Sequence, residues 1–156
     1  MKKLKVMSVV GTRPEINMGV AQGMDILLDL AERLRARSDV GFLFVGRGSD
    51  ARRLAADAQA RGLDNVLFRD EIHPDEIPGL YAQCHVGVVA LDRRHKTHNI
   101  PGKFLTYMQS GLPVLANINP GNDLVDLIDS EQVGRIPGWR RAARHWRHGC
   151  FHPERP

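Results

Sequence analysis

Cysteine is scarce in this 156-residue chain, with only Cys84 and Cys150 present. Two thiols so far apart form neither a disulfide framework nor a metal-ligand pattern, and they suit a reducing cytoplasm. Long apolar runs are missing as well. No stretch approaches the ~20 residues that span a bilayer, and no signal-peptide pattern opens the chain, so stable membrane insertion is not expected. An excess of one charge is also missing from the body of the chain. The net charge is +4, but residues 135–156 hold six arginines and one acid, which leaves 16 bases against 17 acids before them. The body therefore shows no electrostatic footprint for nucleic acid. There are no internal repeats, and the length allows one domain with a real core but not two.

What the chain does contain is a repeated change of hydrophobic period. Leu4–Val10 reads as a strand, followed by the turn Gly11-Thr12-Arg13-Pro14-Glu15. From Met24 to Arg37 the apolar residues Ile26, Leu27, Leu30, Ala31 and Leu34 recur at helical spacing. Val40–Val45 is a buried strand, and Gly46-Arg47-Gly48 follows it. Ser49 or Asp50 is placed to cap a helix running to about Arg61, which Gly62 ends. Asn65–Arg69 is the next strand. Asp75–Gln83 reads as a short helix with Ile77, Leu80 and Tyr81 facing in, and Cys84–Leu91 as the fourth strand. Asp92–Asn99 is a charged loop. About five such alternations predict an α/β fold, a parallel sheet with helices on both faces.

The chain is organised around residues 98–122. Pro101 and Gly102 open a helix, and Lys103 lies in its first turn beside backbone N–H groups that have no partner inside the helix. Such a start holds an anion, most often phosphate. Leu105, Met108 and Phe104 are the expected buried face, and Gly111 the left-handed residue that ends the helix. Val114–Ala116 is a short strand, and Asn117–Asn122 a polar loop before a last helix, Asp123–Ile128, capped by Asn122 or Asp123. In open parallel sheets, ligands bind where strands end and helices begin.

Pro101, Gly102, Lys103, Tyr107, Met108, Gly111, Pro113 and Val114 resemble a segment, P-S-K-x-x-E-Y-M-x-x-G-x-P-V, of the family 4 glycosyltransferases. These have two Rossmann-like domains, the GT-B fold, and the segment belongs to the half that binds the nucleotide sugar. Gly102 replaces the usual Ser. Thr106 stands where a Glu usually grips the ribose hydroxyls, and His98, eight residues earlier, where many relatives have a first Glu. Asn17-Met18-Gly19-Val20-Ala21-Gln22-Gly23 is similar to the family loop G-N-x-G-x-x-K-G, with Gln22 in place of Lys. The run from Ile100 to Ala116, with Asn119–Ile128, resembles O-antigen and capsule transferases of the N-acetylfucosaminyl type. The first 16 residues instead resemble UDP-N-acetylglucosamine 2-epimerases, whose G-T-R-P-E loop lies near the UDP phosphates.

The resemblance implies a Rossmann-like doubly wound parallel sheet, a single GT-B half-domain, incomplete at the C-terminus. The expected segments are an epimerase-like strand and loop at 1–16, a donor-binding domain at 17–134, and an irregular basic tail at 135–156. The tail holds both tryptophans and reads as junction-derived sequence, disordered or loosely helical around 139–147; a basic-aromatic patch touching membrane or nucleic acid is the alternative. The expected ligand is a nucleotide sugar, a UDP-sugar as donor substrate, with no cofactor and no metal. The expected binding residues are Arg13, Gly19, Gln22, Gly46, Gly48, Gly102, Lys103, Thr106, Asn119, Gly121 and Asn122, with no catalytic residue assigned. For Lys103 and Arg13 the alternative is a plain solvated charge. For Thr106 it is an ordinary helix residue, and for the loop at 119–122 a plain connection. His95 and His98 lack nearby partners for a metal. The acceptor-binding half is not in this sequence, so the expectation is a cytoplasmic chain, peripheral to the inner membrane at most, that binds its donor without transferring sugar unless a separate acceptor domain joins it. An epimerase-related fragment and a non-catalytic interaction module are the competing readings.

Overall fold

Two apolar layers, one on each face of a parallel sheet, set this architecture. The computed structural model describes residues 4–9, 23–48, 50–91, 100–118 and 122–135. In chain order the elements are β1 (Leu4–Val9), α1 (Asp25–Arg33), β2 (Val40–Val45), α2 (Ala51–Ala60), β3 (Val66–Arg69), α3 (Ile77–Tyr81), β4 (Val86–Ala90), α4 (Gly102–Gln109), β5 (Val114–Asn117), α5 (Asp123–Glu131) and β6 (Gly134–Arg135). The described strands pair in the order β3-β2-β1-β4-β5-β6, all parallel. The expected turn after β1, the loop at 92–99 and the tail from 136 lie outside the described residues.

Side chains alternate across a strand, and the core follows that rule. Phe42, Phe44, Val86, Val88, Ala90 and Leu115 pack with Leu27 and Leu28 of α1 and Leu54 and Ala58 of α2. Val89, Val114 and Ala116 pack on the other face with Phe104 and Tyr107 of α4, Leu124 and Ile128 of α5, and Tyr81 of α3. Both faces are thus covered, the doubly wound arrangement expected of a single GT-B half-domain. β4 is buried along its whole length, as a central parallel strand should be.

Several boundaries differ from the sequence expectation, each for a local reason. The helix expected to reach Arg37 stops at Arg33. The Ala31 carbonyl accepts from Asn65 Nδ2 at 2.8 Å, and Arg37 turns onto Asp39 through two hydrogen bonds of 2.6 and 2.5 Å. Those contacts fix the chain for its return into β2. The expected helix at 75–83 is one 3-10 turn, Pro74–Glu76, and then the five-residue α3. His73 and Glu76 close a reciprocal capping pair at its start. Gly134, the expected last residue of the donor-binding domain, instead begins a sixth strand against β5. A Cβ at Gly134 would collide with the Val114 carbonyl oxygen, so only glycine permits that approach.

The buried face of α4 also differs. Leu105, expected inside, is 54% exposed, whereas Phe104 and Tyr107 are buried and Met108 only partly so. The cause lies in β4. Gly87 leaves a gap in the strand surface, and a Cβ there would lie 2.5–2.7 Å from three Tyr107 ring carbons. The ring fills the gap, its hydroxyl donates to the Val88 carbonyl at 3.3 Å, and it tilts against Tyr81 with centroids 5.3 Å apart. Seating Tyr107 this way turns Leu105 outward. Gly111 ends the region at φ +66°, the left-handed conformation expected of it.

Candidate functional site

The strand order places a topological switch between β1 and β4. α1 packs on one face of the sheet and α4 on the other, so the ends of β1 and β4, at Val9 and Ala90, mark the position at which open parallel sheets bind ligands. The loops after β2, β3 and β5 and the starts of α4 and α5 border the same edge of the sheet.

Most of the candidate chemistry lies at the start of α4. Pro101 holds the cap position in an extended conformation, makes no side-chain cap, and is followed by a first turn without an acid. Phe104 N–H closes back onto the Pro101 carbonyl at 2.9 Å. Gly102 and Lys103 supply the first amides of the helix, at the end where its dipole favours an anion. Lys103 keeps part of its surface exposed, yet its ammonium lies deep enough in protein that desolvation pushes it down to about 7. An arriving anion would reverse that penalty, because an opposite charge favours the protonated form. Thr106 donates its hydroxyl proton to the Gly102 carbonyl at 3.1 Å, so toward a ligand it is an acceptor. A Cβ at Gly102 meets nothing within 4 Å. The Ser common at this place in similar sequences would fit, and no packing demand explains the glycine.

Gly46 and Gly48 flank Arg47 after β2, at φ 132° and 155°. Both angles favour glycine, and they turn the loop so that Arg47 pairs with Glu71 at 2.8 Å, tying it to the loop after β3. At the start of α1, Asp25 is held by Arg53 through hydrogen bonds of 2.6 and 3.0 Å. That guanidinium keeps the carboxyl below its ordinary range. Arg53 also reaches Asp50, so the starts of α1 and α2 share one cation. Asp50 occupies the expected cap position of α2, but its side chain makes no cap bond.

Asn122 is buried, and its Oδ1 accepts from the Leu124 N–H at 2.9 Å as the cap of α5. Of the expected binding residues, Gly46, Gly48, Gly102, Lys103, Thr106 and Asn122 thus fall on the strand-end side of the sheet. Arg13, Gly19, Gln22, Asn119 and Gly121 lie outside the described residues. Sequence reasoning passed over Asn117, the last residue of β5 and 9% exposed. An amide closing an apolar run was the available signal. It also passed over Gly87, whose role depends on a ring contributed twenty residues later.

Among the described residues no group of three or more His, Cys, Asp or Glu could hold a metal ion. No described helix is long and apolar enough to cross a membrane.

The sequence profile described as glycosyl transferases group 1 matches residues 8–137. No curated protein matches the chain. Among solved structures, the fold is similar to the catalytic domain of cholesterol-alpha-glucosyltransferase from Helicobacter pylori, with a TM-score of 0.69 at 16% identity over 93% of this chain and 86% of that one. It is also similar to WaaG, a glycosyltransferase involved in lipopolysaccharide biosynthesis, with a TM-score of 0.70 at 18% identity over 95% of this chain and 38% of that one. The Anabaena HepE structure in complex with UDP-glucose gives 0.62 at 19% identity, over 94% of this chain and 38% of that one. At these identities the likeness is one of fold. The chain spans little more than a third of the WaaG and HepE structures.

Proposed function

The chain belongs to the group 1 glycosyl transferases, and on that premise we propose that its strand-end site binds a nucleotide-sugar donor, a UDP-sugar, with the diphosphate at the start of α4. The observation that carries the reading is local. A helix start with no side-chain cap, no acid in its first turn and a desolvated lysine stands beside the topological switch of the sheet. In that setting the amides of Gly102 and Lys103 and the Lys103 ammonium receive the charge that grows on the diphosphate as the bond to the anomeric carbon breaks. Thr106 accepts one ribose hydroxyl. Gly46 and Gly48 belong to the same proposed site, Arg13, Gly19, Gln22, Asn119 and Gly121, which lie outside the described residues, are proposed to bind the donor with them, and Asn122 holds the start of α5.

The acceptor hydroxyl, the exclusion of water and the alignment of attack come from a second half, as in two-domain members of the family. The chain alone therefore binds donor and transfers nothing. Its reaction with that half is transfer with retention of anomeric configuration, needing no metal. The run Ile100–Ala116 supports a role in O-antigen, capsule or lipopolysaccharide synthesis on N-acetylhexosamine-type donors, in the cytoplasm or at the inner face of the inner membrane.

Titration calorimetry with UDP, UDP-glucose, UDP-N-acetylglucosamine and inorganic phosphate tests this reading. UDP and a UDP-sugar are expected to bind well above phosphate, with no UDP released over time. Release of UDP and free N-acetylmannosamine from UDP-N-acetylglucosamine would favour the epimerase-related reading, which the first 16 residues support. Absence of nucleotide binding would leave a module that docks through its sheet.

A further inference from the structure

We propose that Arg47 and Glu71 form a positioning pair for the donor, their ion pair fixing the loop after β3, residues 70–73, where it meets the part of the nucleotide sugar beyond the diphosphate. This rests on the donor-binding reading above and adds to it two residues and a role.

The starting observation is a loop held by polar contacts rather than by the core. Gly46 N–H donates to the Arg69 carbonyl at 3.0 Å, one step beyond the last paired residues of β2 and β3. Arg47 Nε then lies 2.8 Å from Glu71 Oε2. At the other end of the loop, His73 N–H donates to Glu76 at 3.0 Å, and Asp75 N–H donates to His73 Nδ1 at 3.4 Å. Between these ties the only apolar side chain is Ile72, half-buried, and no residue of the loop belongs to either core cluster. The Arg47 side chain is 72% exposed, so its ion pair adds little to stability. Two glycines at positive φ nevertheless aim it at Glu71. A pair that stabilises little, yet is set by the backbone, is explained by the shape it gives the loop.

That loop lies where a donor extends. β3 is three strands from β4 in the sheet. At roughly 4.8 Å per strand, its end is about 14 Å from the end of β4, and the diphosphate is assigned to the helix start that follows β4. A diphosphate does not cover that distance. It does stand between a nucleoside and a hexose, so a donor lying along the strand ends has one of the two on the β3 side. A loop already in shape spares the complex the cost of ordering it. The ion pair directs Arg47 from the loop after β2 toward the loop after β3, away from β1. The arginine therefore acts through the loop and not on the diphosphate.

The test titrates wild type, Arg47→Ala, Glu71→Gln and the exchanged pair Arg47→Glu with Glu71→Arg, using UDP-glucose, UDP and inorganic pyrophosphate, and follows the melting of each unliganded chain. Each single variant is expected to lose about fivefold on UDP-glucose, the scale of ordering one or two side chains on binding. Pyrophosphate is expected to change by less than about twofold, and melting to stay near wild type, because the pair is exposed. The exchanged pair is expected to recover most of the loss. A loss already present with UDP places the nucleoside at the loop, and a loss seen only with UDP-glucose places the hexose there. Unchanged UDP-glucose affinity in both single variants would overturn the proposal. So would an equal loss on pyrophosphate, which would make Arg47 a diphosphate contact, or a loss in one single variant alone. An exchanged pair that folds and recovers nothing would overturn it too. A wild type that binds neither UDP nor UDP-glucose would instead remove the underlying donor-binding reading. If the exchanged chain does not fold, the two single variants decide together, because only a shared loss marks a pair.

Discussion

Helices α4 and α5 leave neighbouring parallel strands at the same edge of the sheet, yet they begin in opposite ways. The start of α5 is closed. Asn122 is buried, its carboxamide oxygen takes the Leu124 N–H, and Asp123 and Asp126 supply negative charge to the first turn. Each feature satisfies the helix from within. The start of α4 has none of them; glycine stands at its first position, where α5 has Asp123, and a lysine follows. What holds α4 in position is further along, where the Tyr107 ring fills the gap over Gly87. The pair shows how one fold divides two tasks. α5 is anchored by its own cap and α4 by a later side chain, and the proposed donor site uses the first turn that α4 leaves uncapped.

The strongest way to break this division is to disturb the anchor. Gly87→Ala would drive a methyl into the Tyr107 ring and is expected to cost about 1–3 kcal/mol, measured by urea unfolding. If α4 then shifts, UDP affinity should fall as well, and a destabilised variant with wild-type UDP affinity would separate the anchor from the site. Next in size is Lys103→Met, expected to weaken UDP by about tenfold, the scale of one charge-assisted hydrogen bond. Its effect on unliganded stability depends on pH. The folded lysine titrates near 7 and the unfolded one near 10.5, so between those values the unfolded chain holds a proton that the folded chain does not. Wild-type stability should rise across that window and be flat below it. The Met variant should lose the rise, and a rise that persists would move its cause elsewhere.

Asn122→Ala is expected to cost about 1 kcal/mol through the lost cap, with a smaller effect on UDP than Lys103→Met. The smallest change in stability sharpens the comparison most. Gly102→Asp gives α4 the acidic first turn that α5 has, in a place where a side chain meets open space. Stability should rise by about 0.3–1 kcal/mol while UDP binding is largely lost. Thermal melting beside a UDP titration reads both, and improved or unchanged binding would contradict an anion at that start.

Much of this was legible from residue patterns. The strand Val40–Val45, the glycine at 111 and the cap at Asn122 depend on local chemistry, and local chemistry is written in neighbouring residues. The start of α4 was legible for the same reason, since Pro101, Gly102 and Lys103 are consecutive. The failures share a different cause. Leu105, expected inside, is exposed and Tyr107 is buried because the depth of a helical residue depends on what the sheet offers beneath it, here a gap at Gly87. The early end of α1 depends on Asn65, from a segment thirty-four residues on. Asn117 looked like the first residue of a polar loop, and only the pairing of β5 with β4 shows that it is buried.

Amide chemical shifts of the uniformly labelled chain, followed during a UDP titration, test the division between the two helix starts most directly. The largest shifts are expected at Gly102 and Lys103 and should fade by the end of α4, while Leu124 and Val125 at the start of α5 remain near their unliganded positions. Shifts concentrated at Leu124 and Val125, or an unmoved Gly102 and Lys103 at saturating UDP, would contradict a diphosphate seated at the start of α4.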